Sequence, residues 1–149
     1  MNESVRPGTG WSPAEVPPAD EVTAAFWQAT GEHRLTVQRC SACASVQHPP
    51  RAVCTGCSSM EHLAQVDATG EATVDVATTV HRAPRPDVVV PYTVARVRLA
   101  EGPLVLTRLE PPDPEGSGYA AGTRVVVHFH VLSDGRALPY FRPAPTEEY

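Results

Sequence analysis

The chain has 149 residues, 42% of them apolar, which allows one domain or one domain plus a small module; sixteen prolines and ten glycines divide it into short segments. A formal charge of −5, with twelve arginines and no lysine, has the wrong sign for a protein that displaces counterions from nucleic-acid phosphates. No apolar run is long enough to cross a bilayer, and Met1-Asn2-Glu3-Ser4 lacks the basic-then-apolar layout of a secretion signal, so a soluble, cytoplasmic protein is expected.

Residues 1–19, rich in Pro, Gly, Ser and Glu around an isolated Trp11, read as a flexible leader or linker. From Asp20 the pattern changes. Val22, Ala25, Phe26 and Ala29 fall on one helical stripe, with Asp20 placed to cap its start and Gly31 to stop it. So short a helix is marginal alone, and Phe26 and Trp27 are expected to pack as core or interface ballast.

Leu35 to Arg39 alternates Leu35 and Val37 against Thr36 and Gln38, a short strand that runs into the densest chemical feature of the chain. Cys40-Ser-Ala-Cys43 and, ten residues later, Cys54-Thr-Gly-Cys57 account for all four cysteines. Two such knuckles present four thiolates to one tetrahedral ion, which predicts a structural zinc site, with iron in a rubredoxin-type centre as the rival. Thiols held for a metal agree with a reducing compartment. A site closed by four sulfurs has no open position for water or substrate, so the activity must lie elsewhere. Val46 to Arg51 and His62 to Val66 supply the other arms of a zinc ribbon. A module that small cannot bury enough apolar surface to fold alone, whereas zinc binding worth roughly 10–16 kcal/mol is sufficient. His33, His48 and His62 lie near the ribbon, but the four sulfurs already complete it.

Gly70 opens a region of five predicted strands: Ala72–His81, Tyr92–Ala100, Leu104–Leu109, Thr123–Leu132 and Ala137–Arg142. Glu101-Gly102 and Asp134-Gly135 are tight hairpin signals. On the first strand Val74, Val76 and Val80 are expected on one face. On the fourth, His128 and His130 are expected as a solvent-facing pair without a third metal ligand. A longer excursion from Glu110 to Gly118 cannot begin as helix. Five short antiparallel strands with that excursion match the small Greek-key barrel called the OB-fold, an SH3-like barrel being the alternative that periodicity cannot separate. The fold class is therefore mainly β: a short N-terminal helix, a rubredoxin-like zinc ribbon and a C-terminal five-stranded OB-fold barrel. The divisions are a leader at 1–19, helix and ribbon at 20–66, barrel at 67–143 and a tail at 144–149.

With these pieces assembled, the chain resembles the acyl-CoA-associated zinc-ribbon/OB-fold family catalogued as domain of unknown function thirty-five. The matching residues are Phe26-Trp27, Gln38-Arg39-Cys40-Ser-Ala-Cys43, His48-Pro-Pro-Arg51, Cys54-Thr-Gly-Cys57, Val80-His-Arg-Ala-Pro-Arg-Pro-Asp87, Pro91-Tyr92, Glu101-Gly102-Pro103 and Leu138-Pro-Tyr-Phe-Arg-Pro143. Members often carry Gly after the second and fourth cysteine and Pro after the third, where this chain has Ala44, Ser58 and Thr55.

The resemblance implies a non-catalytic partner of a thiolase-like or lipid-transfer-protein-like aldolase, alone or with a fused or associated acyl-CoA hydratase, including in steroid side-chain degradation. It implies structural zinc at Cys40, Cys43, Cys54 and Cys57. It also favours His81, Arg82, Arg85 and Tyr92 as contacts to the partner or to acyl-CoA at the interface. There the arginine forks suit phosphates or carboxylates and the prolines stiffen the loop. The rival reading is a single-stranded nucleic-acid-binding ribbon/OB module, which the charge and the scarcity of aromatics on the barrel strands disfavour. No triad, paired carboxylates or phosphate-cradling loop is supported by spacing; Gly116-Ser117-Gly118 lacks the Lys and strand–loop–helix setting of a cradle.

Overall fold

A computed structural model of the chain describes residues 17–116 and 118–146. Most of the expected leader and its Trp11, together with Ser117 and the end of the tail, lie outside the described residues.

The helix α1 spans Ala24–Gly31. Asp20 does not cap it directly. Its Oδ1 accepts from the Val22 and Thr23 amides and from Thr23 Oγ1, closing a turn one step earlier and leaving Thr23 at the cap position. Those Thr23 contacts lower the Asp20 pKa, the backbone bond most. The buried face is Phe26, Ala29 and Thr30, while Val22 and Ala25 are exposed. Thr30 can be buried because its hydroxyl donates to Trp27 O at 3.0 Å. Gly31 is the last helical residue, and the left-handed step that turns the chain falls on His33, at φ 57°.

Three short strands follow: β1 Thr36–Cys40, β2 Val46–Gln47 and β3 Leu63–Asp67, in the order β2-β1-β3, all antiparallel. The expected in/out alternation of β1 gives way to burial on both faces, Thr36 donating its hydroxyl to Gln65 Oε1 of β3 and Gln38 bonding to Arg51 of the loop between the knuckles.

Five strands then close the barrel: β4 Glu71–Val80, β5 Tyr92–Leu99, β6 Leu104–Leu109, β7 Arg124–Val131 and β8 Ala137–Pro143. The order β4-β5-β6-β8-β7, closed by β7 on β4, carries one parallel contact, Leu109 beside Phe141. This is the Greek-key closure of the OB-fold. Both predicted hairpins form, with Gly102 at φ 109° and Gly135 at φ 86° in the turns.

One expectation about β4 fails for a local reason. A bulge between Val74 and Val76 admits Asp75 as an extra residue, so Val74 faces the core and Val76 is 54% exposed. Asp75 pairs with Arg96 of β5 at 2.6 Å.

The segment from Glu110 to Gly122 contains no helix among its described residues and is ordered by Asp113. Its carboxylate accepts from the Gly116 and Gly118 amides, its own amide donates to Thr93 Oγ1, and its carbonyl accepts from Thr79 Oγ1. Tyr119 is buried beyond it, its hydroxyl donating to Pro111 O at 2.7 Å.

A single apolar cluster runs from the barrel interior (Val97, Leu109, Val125 and Phe141 among others) to Phe26, Leu35 and Val37 of the helix and ribbon. Val127 and Phe129 of β7 pack against it. Each fully buried side chain of this size contributes about 1.5–3 kcal/mol.

Candidate metal centre and docking surfaces

The two knuckles are built alike. In the first, the Cys40 amide donates to Ser45 O and the Ala44 amide to Cys40 O; in the second, Cys54 and Ser58 do the same with Ser59 and Cys54. Both turns close on a left-handed residue, Ala44 at φ 64° and Ser58 at φ 63°. Positive φ in a residue with a Cβ costs about 1–2 kcal/mol, so both turns are held under strain.

Cys40 and Cys54 are buried, whereas Cys43 and Cys57 face outward. All four sulfurs lie within 4.8 Å of one another, with Cys40–Cys57 at 3.7 Å and Cys43–Cys54 at 3.6 Å. Zinc–sulfur bonds of about 2.3 Å in a tetrahedron require sulfur separations of about 3.8 Å, so the donor set fits one such ion. The Gly56 amide points at Cys54 Sγ at 3.3 Å, and Ser45 Oγ sits 3.0 Å from Cys43 Sγ. A Cβ at Gly56 would collide with Ser45 Oγ, so this glycine is required for close approach.

The electrostatics of the bare thiols point the same way. The Ser45 hydroxyl and amide hold Cys43 down at about 6. At Cys57 the Ser59 amide favours the thiolate, but crowding by Cys43, burial, and Cys40 and Cys54 outweigh it and push the pKa up to about 12. Four thiolates in this space need a cation to coexist.

Sequence reasoning missed two glutamines. Gln38 and Gln47 are buried opposite one another on β1 and β2. Gln38 Nε2 donates to Arg51 O, and its Oε1 accepts from the Arg51 amide. Gln47 Nε2 donates to Gln38 Oε1 and Val53 O, while its Oε1 accepts from the Thr55 amide and hydroxyl. The path into the second knuckle is thereby tied to the strands of the first. Two polar residues at the strand positions flanking the first knuckle were the available signal.

His48, the nearest of the ribbon histidines to this network in sequence, packs against Phe26 at 5.4 Å, and burial pushes its pKa down to about 4.

The loop between β4 and β5 places the other candidate residues apart from the sulfurs and close to one barrel end. His81 and Arg82 are exposed. Arg85 is held by Asp87 in a two-point pair at 3.0 and 3.3 Å. Tyr92, half-buried at the start of β5, lies under the Arg108 guanidinium at 4.2 Å. Beyond it the outer face of β4, β5 and β6 carries Val76, Arg96 and Leu106 in one register row, and Leu106 is 82% exposed. Tyr92 is the only aromatic residue of β5 and β6.

The pair His128 and His130 is not simply solvent-facing. Both rings pack against Tyr140, His130 stacked at 5.3 Å and His128 edge-on at 6.0 Å. His128 is half-buried 3.4 Å from Glu110, and desolvation lowers its pKa against that carboxylate's pull. The β7–β8 hairpin packs on α1, with Arg136 over Trp27 at 4.8 Å.

An antiparallel ribbon with four converging cysteines, sharing its core with a closed five-stranded barrel, defines a zinc-ribbon/OB-fold protein. Two family models match it: the ChsH2 rubredoxin-like zinc ribbon domain over residues 27–61 and the ChsH2 C-terminal OB-fold domain over 65–130. Among solved structures, the Ltp2-ChsH2(DUF35) aldolase contains a chain 33% identical, matched with TM-score 0.77 over 87% of this chain and 100% of that one. The chain belongs to the DUF35 family, as a ChsH2-type member. A DUF35 protein of unknown function from Sulfolobus solfataricus shares the fold at 15% identity, TM-score 0.60, over 85% of this chain and 87% of that. A probable enoyl-CoA hydratase alpha subunit of Thermomonospora curvata is 36% identical over 133 residues; the match takes in 83% of this chain but spans only 38% of that relative's length.

Proposed function

We propose that this chain is a docking subunit or domain that binds a thiolase-like or lipid-transfer-protein-like aldolase acting on acyl-CoA, and that it does no bond-making itself. The carrying observation is its likeness, over the whole length of the matched chain, to the ChsH2(DUF35) component of an aldolase named with Ltp2. The relative named as a hydratase subunit supports acyl-CoA chemistry, and a fused or associated hydratase would account for its greater length. Zinc at Cys40, Cys43, Cys54 and Cys57 offsets part of the thiolate charge and cross-links the knuckles, and a site closed by four sulfurs leaves the metal no open position for substrate. Among the described residues no helix is long and apolar enough to cross a membrane, in keeping with a cytoplasmic assembly.

The partner seats on the outer face of β4, β5 and β6 and the loop carrying His81, Arg82 and Arg85, where exposed apolar side chains lie among arginines. A stable contact there buries at least ~1,000 Å². Tagged chain co-expressed with its cognate thiolase-like aldolase is expected to co-purify with it. Arg82→Glu with Leu106→Asp is expected to abolish co-purification at unchanged zinc content. Retention of the complex by that double variant would refute this face; a wild-type chain that never co-purifies, or that turns over acyl-CoA alone, would refute the function.

A further inference from the structure

The four sulfurs of the ribbon are not equivalent. Cys40 and Cys54 are buried, whereas Cys43 and Cys57 reach the surface. Each outward sulfur lies against a buried one from the other knuckle, Cys57 against Cys40 at 3.7 Å and Cys43 against Cys54 at 3.6 Å. A disulfide needs about 2.05 Å between sulfurs, so either pair closes by a short approach of two side chains. The outward sulfurs differ from each other in turn. Ser45 Oγ lies 3.0 Å from Cys43 Sγ, wedged into the space that Gly56 leaves by lacking a Cβ. Ser59 is the counterpart of Ser45 in the second knuckle, yet among the described residues no side-chain hydroxyl bonds to Cys57 Sγ. Sulfurs that ligate a metal do so as thiolates, so the Ser45 hydroxyl then donates to Cys43 and draws charge off it. A thiolate relieved of charge is the weaker nucleophile. Cys57 combines exposure with the fuller charge.

We infer that Cys57 is the entry point of a peroxide-driven switch that closes a Cys40–Cys57 disulfide and releases the zinc; the inference rests on the metal assignment above. The Cys57 thiolate attacks a peroxide oxygen: an S–O bond forms, the O–O bond breaks, and the departing hydroxide takes up a proton. The Cys40 thiolate then attacks the sulfenic sulfur of Cys57 and expels a second hydroxide, which is protonated in the same way. The sum is two thiolates, one hydrogen peroxide and two protons giving one disulfide and two waters. Only Cys43 and Cys54 remain as ligands, two short of the four that a structural zinc site uses. The new bond joins the knuckles in the metal's place, and a dithiol reductant supplied with zinc reverses it.

The test treats the zinc-loaded full chain with hydrogen peroxide, follows released zinc with a chromogenic chelator, and maps the linkages by peptide mass without reduction. Zinc is expected to appear in step with the disulfide, with Cys40–Cys57 the main linkage and with the metal restored by a dithiol reductant plus zinc. Met60, 70% exposed, is the internal control: its sulfoxide gains an oxygen without forming a disulfide and is expected to leave the zinc in place. Ser45→Ala removes the donor to Cys43 without touching a ligand. It is expected to speed zinc release by about two- to threefold and to bring in Cys43–Cys54 linkages. Zinc retained while Met60 is oxidised, Cys43 modified before Cys57, or an unchanged rate and linkage pattern in the Ser45 variant overturns the inference and leaves the metal assignment standing. A chain that takes up no zinc at the outset overturns both.

Discussion

Gln47 Nε2 donates to Gln38 Oε1 at 2.6 Å across β2 and β1, and this buried amide contact links the strands to the chain entering the second knuckle. The pair satisfies the Arg51 and Val53 carbonyls and the Arg51 and Thr55 amides at once. Replacing Gln38 by Leu strands the Arg51 groups without a partner. A loss of about 2–4 kcal/mol is expected in urea unfolding of the zinc-saturated protein, with faster zinc release to a chromogenic chelator. An unchanged midpoint would mean that water replaces the amide without penalty.

The knuckle turns give a prediction of the opposite sign. Ala44→Gly and Ser58→Gly relieve left-handed strain at φ 64° and 63° but add freedom to the unfolded chain. The net expected gain is up to about 1 kcal/mol each, read as a rise in Tm. Gly56→Ala, by contrast, drives a methyl into Ser45 and is expected to lower both Tm and metal retention. If Gly56→Ala proves neutral, the packing of the two knuckles is looser than described here.

Burial holds His48 neutral, with a folded pKa of about 4 against an ordinary 6.5. Between those values the unfolded chain binds the extra proton, so stability falls as pH drops from about 6.5 to about 4. The full difference is on the order of 3 kcal/mol. Acid also protonates the sulfur ligands, so the informative quantity is wild type minus His48→Gln, measured by unfolding at pH 7 and pH 5. The gap between the two should depend on pH in that window; a constant gap would place His48 in contact with water.

Asp113 organises a long connection that has no helix or strand among its described residues. Asp113→Ala removes the acceptor for the Gly116 and Gly118 amides while leaving the backbone bonds to Thr79 and Thr93 available. The expected result is a loss of about 1–2 kcal/mol and faster amide exchange between Pro111 and Gly116. Unaltered exchange there would show that the carboxylate is dispensable and that the Thr79, Thr93 and Tyr119 contacts order the segment.

The fold was legible wherever the signal was local. The cysteine spacing, the alternating apolar residues and the glycine-centred hairpins identified the ribbon and all five barrel strands to within a residue or two at most ends. Strand order was harder, because the Leu109–Phe141 parallel contact joins residues far apart in sequence and leaves no periodic trace. Period-two alternation puts Val76 on the same face as Val74, because a bulge at Asp75 leaves no trace in such a pattern. His128 and His130 looked free because their shared neighbour, Tyr140, comes from another strand. At the candidate docking loop the sequence showed two arginines, but not that Arg85 is already engaged by Asp87. The buried glutamines were missed because polar residues on a short strand are ordinarily solvated.

The Ala68 amide donates to Leu35 O, the Val127 amide donates to Gly70 O, and the residues between them join ribbon to barrel over one continuous apolar cluster. Melting should therefore be a single transition in which metal, ribbon and barrel are lost together. Stripping the ion would lower the temperature at which the barrel itself comes apart. A fragment beginning at Gly70 would expose the apolar surface that Phe26, Leu35 and Val37 now cover, and would be expected to precipitate.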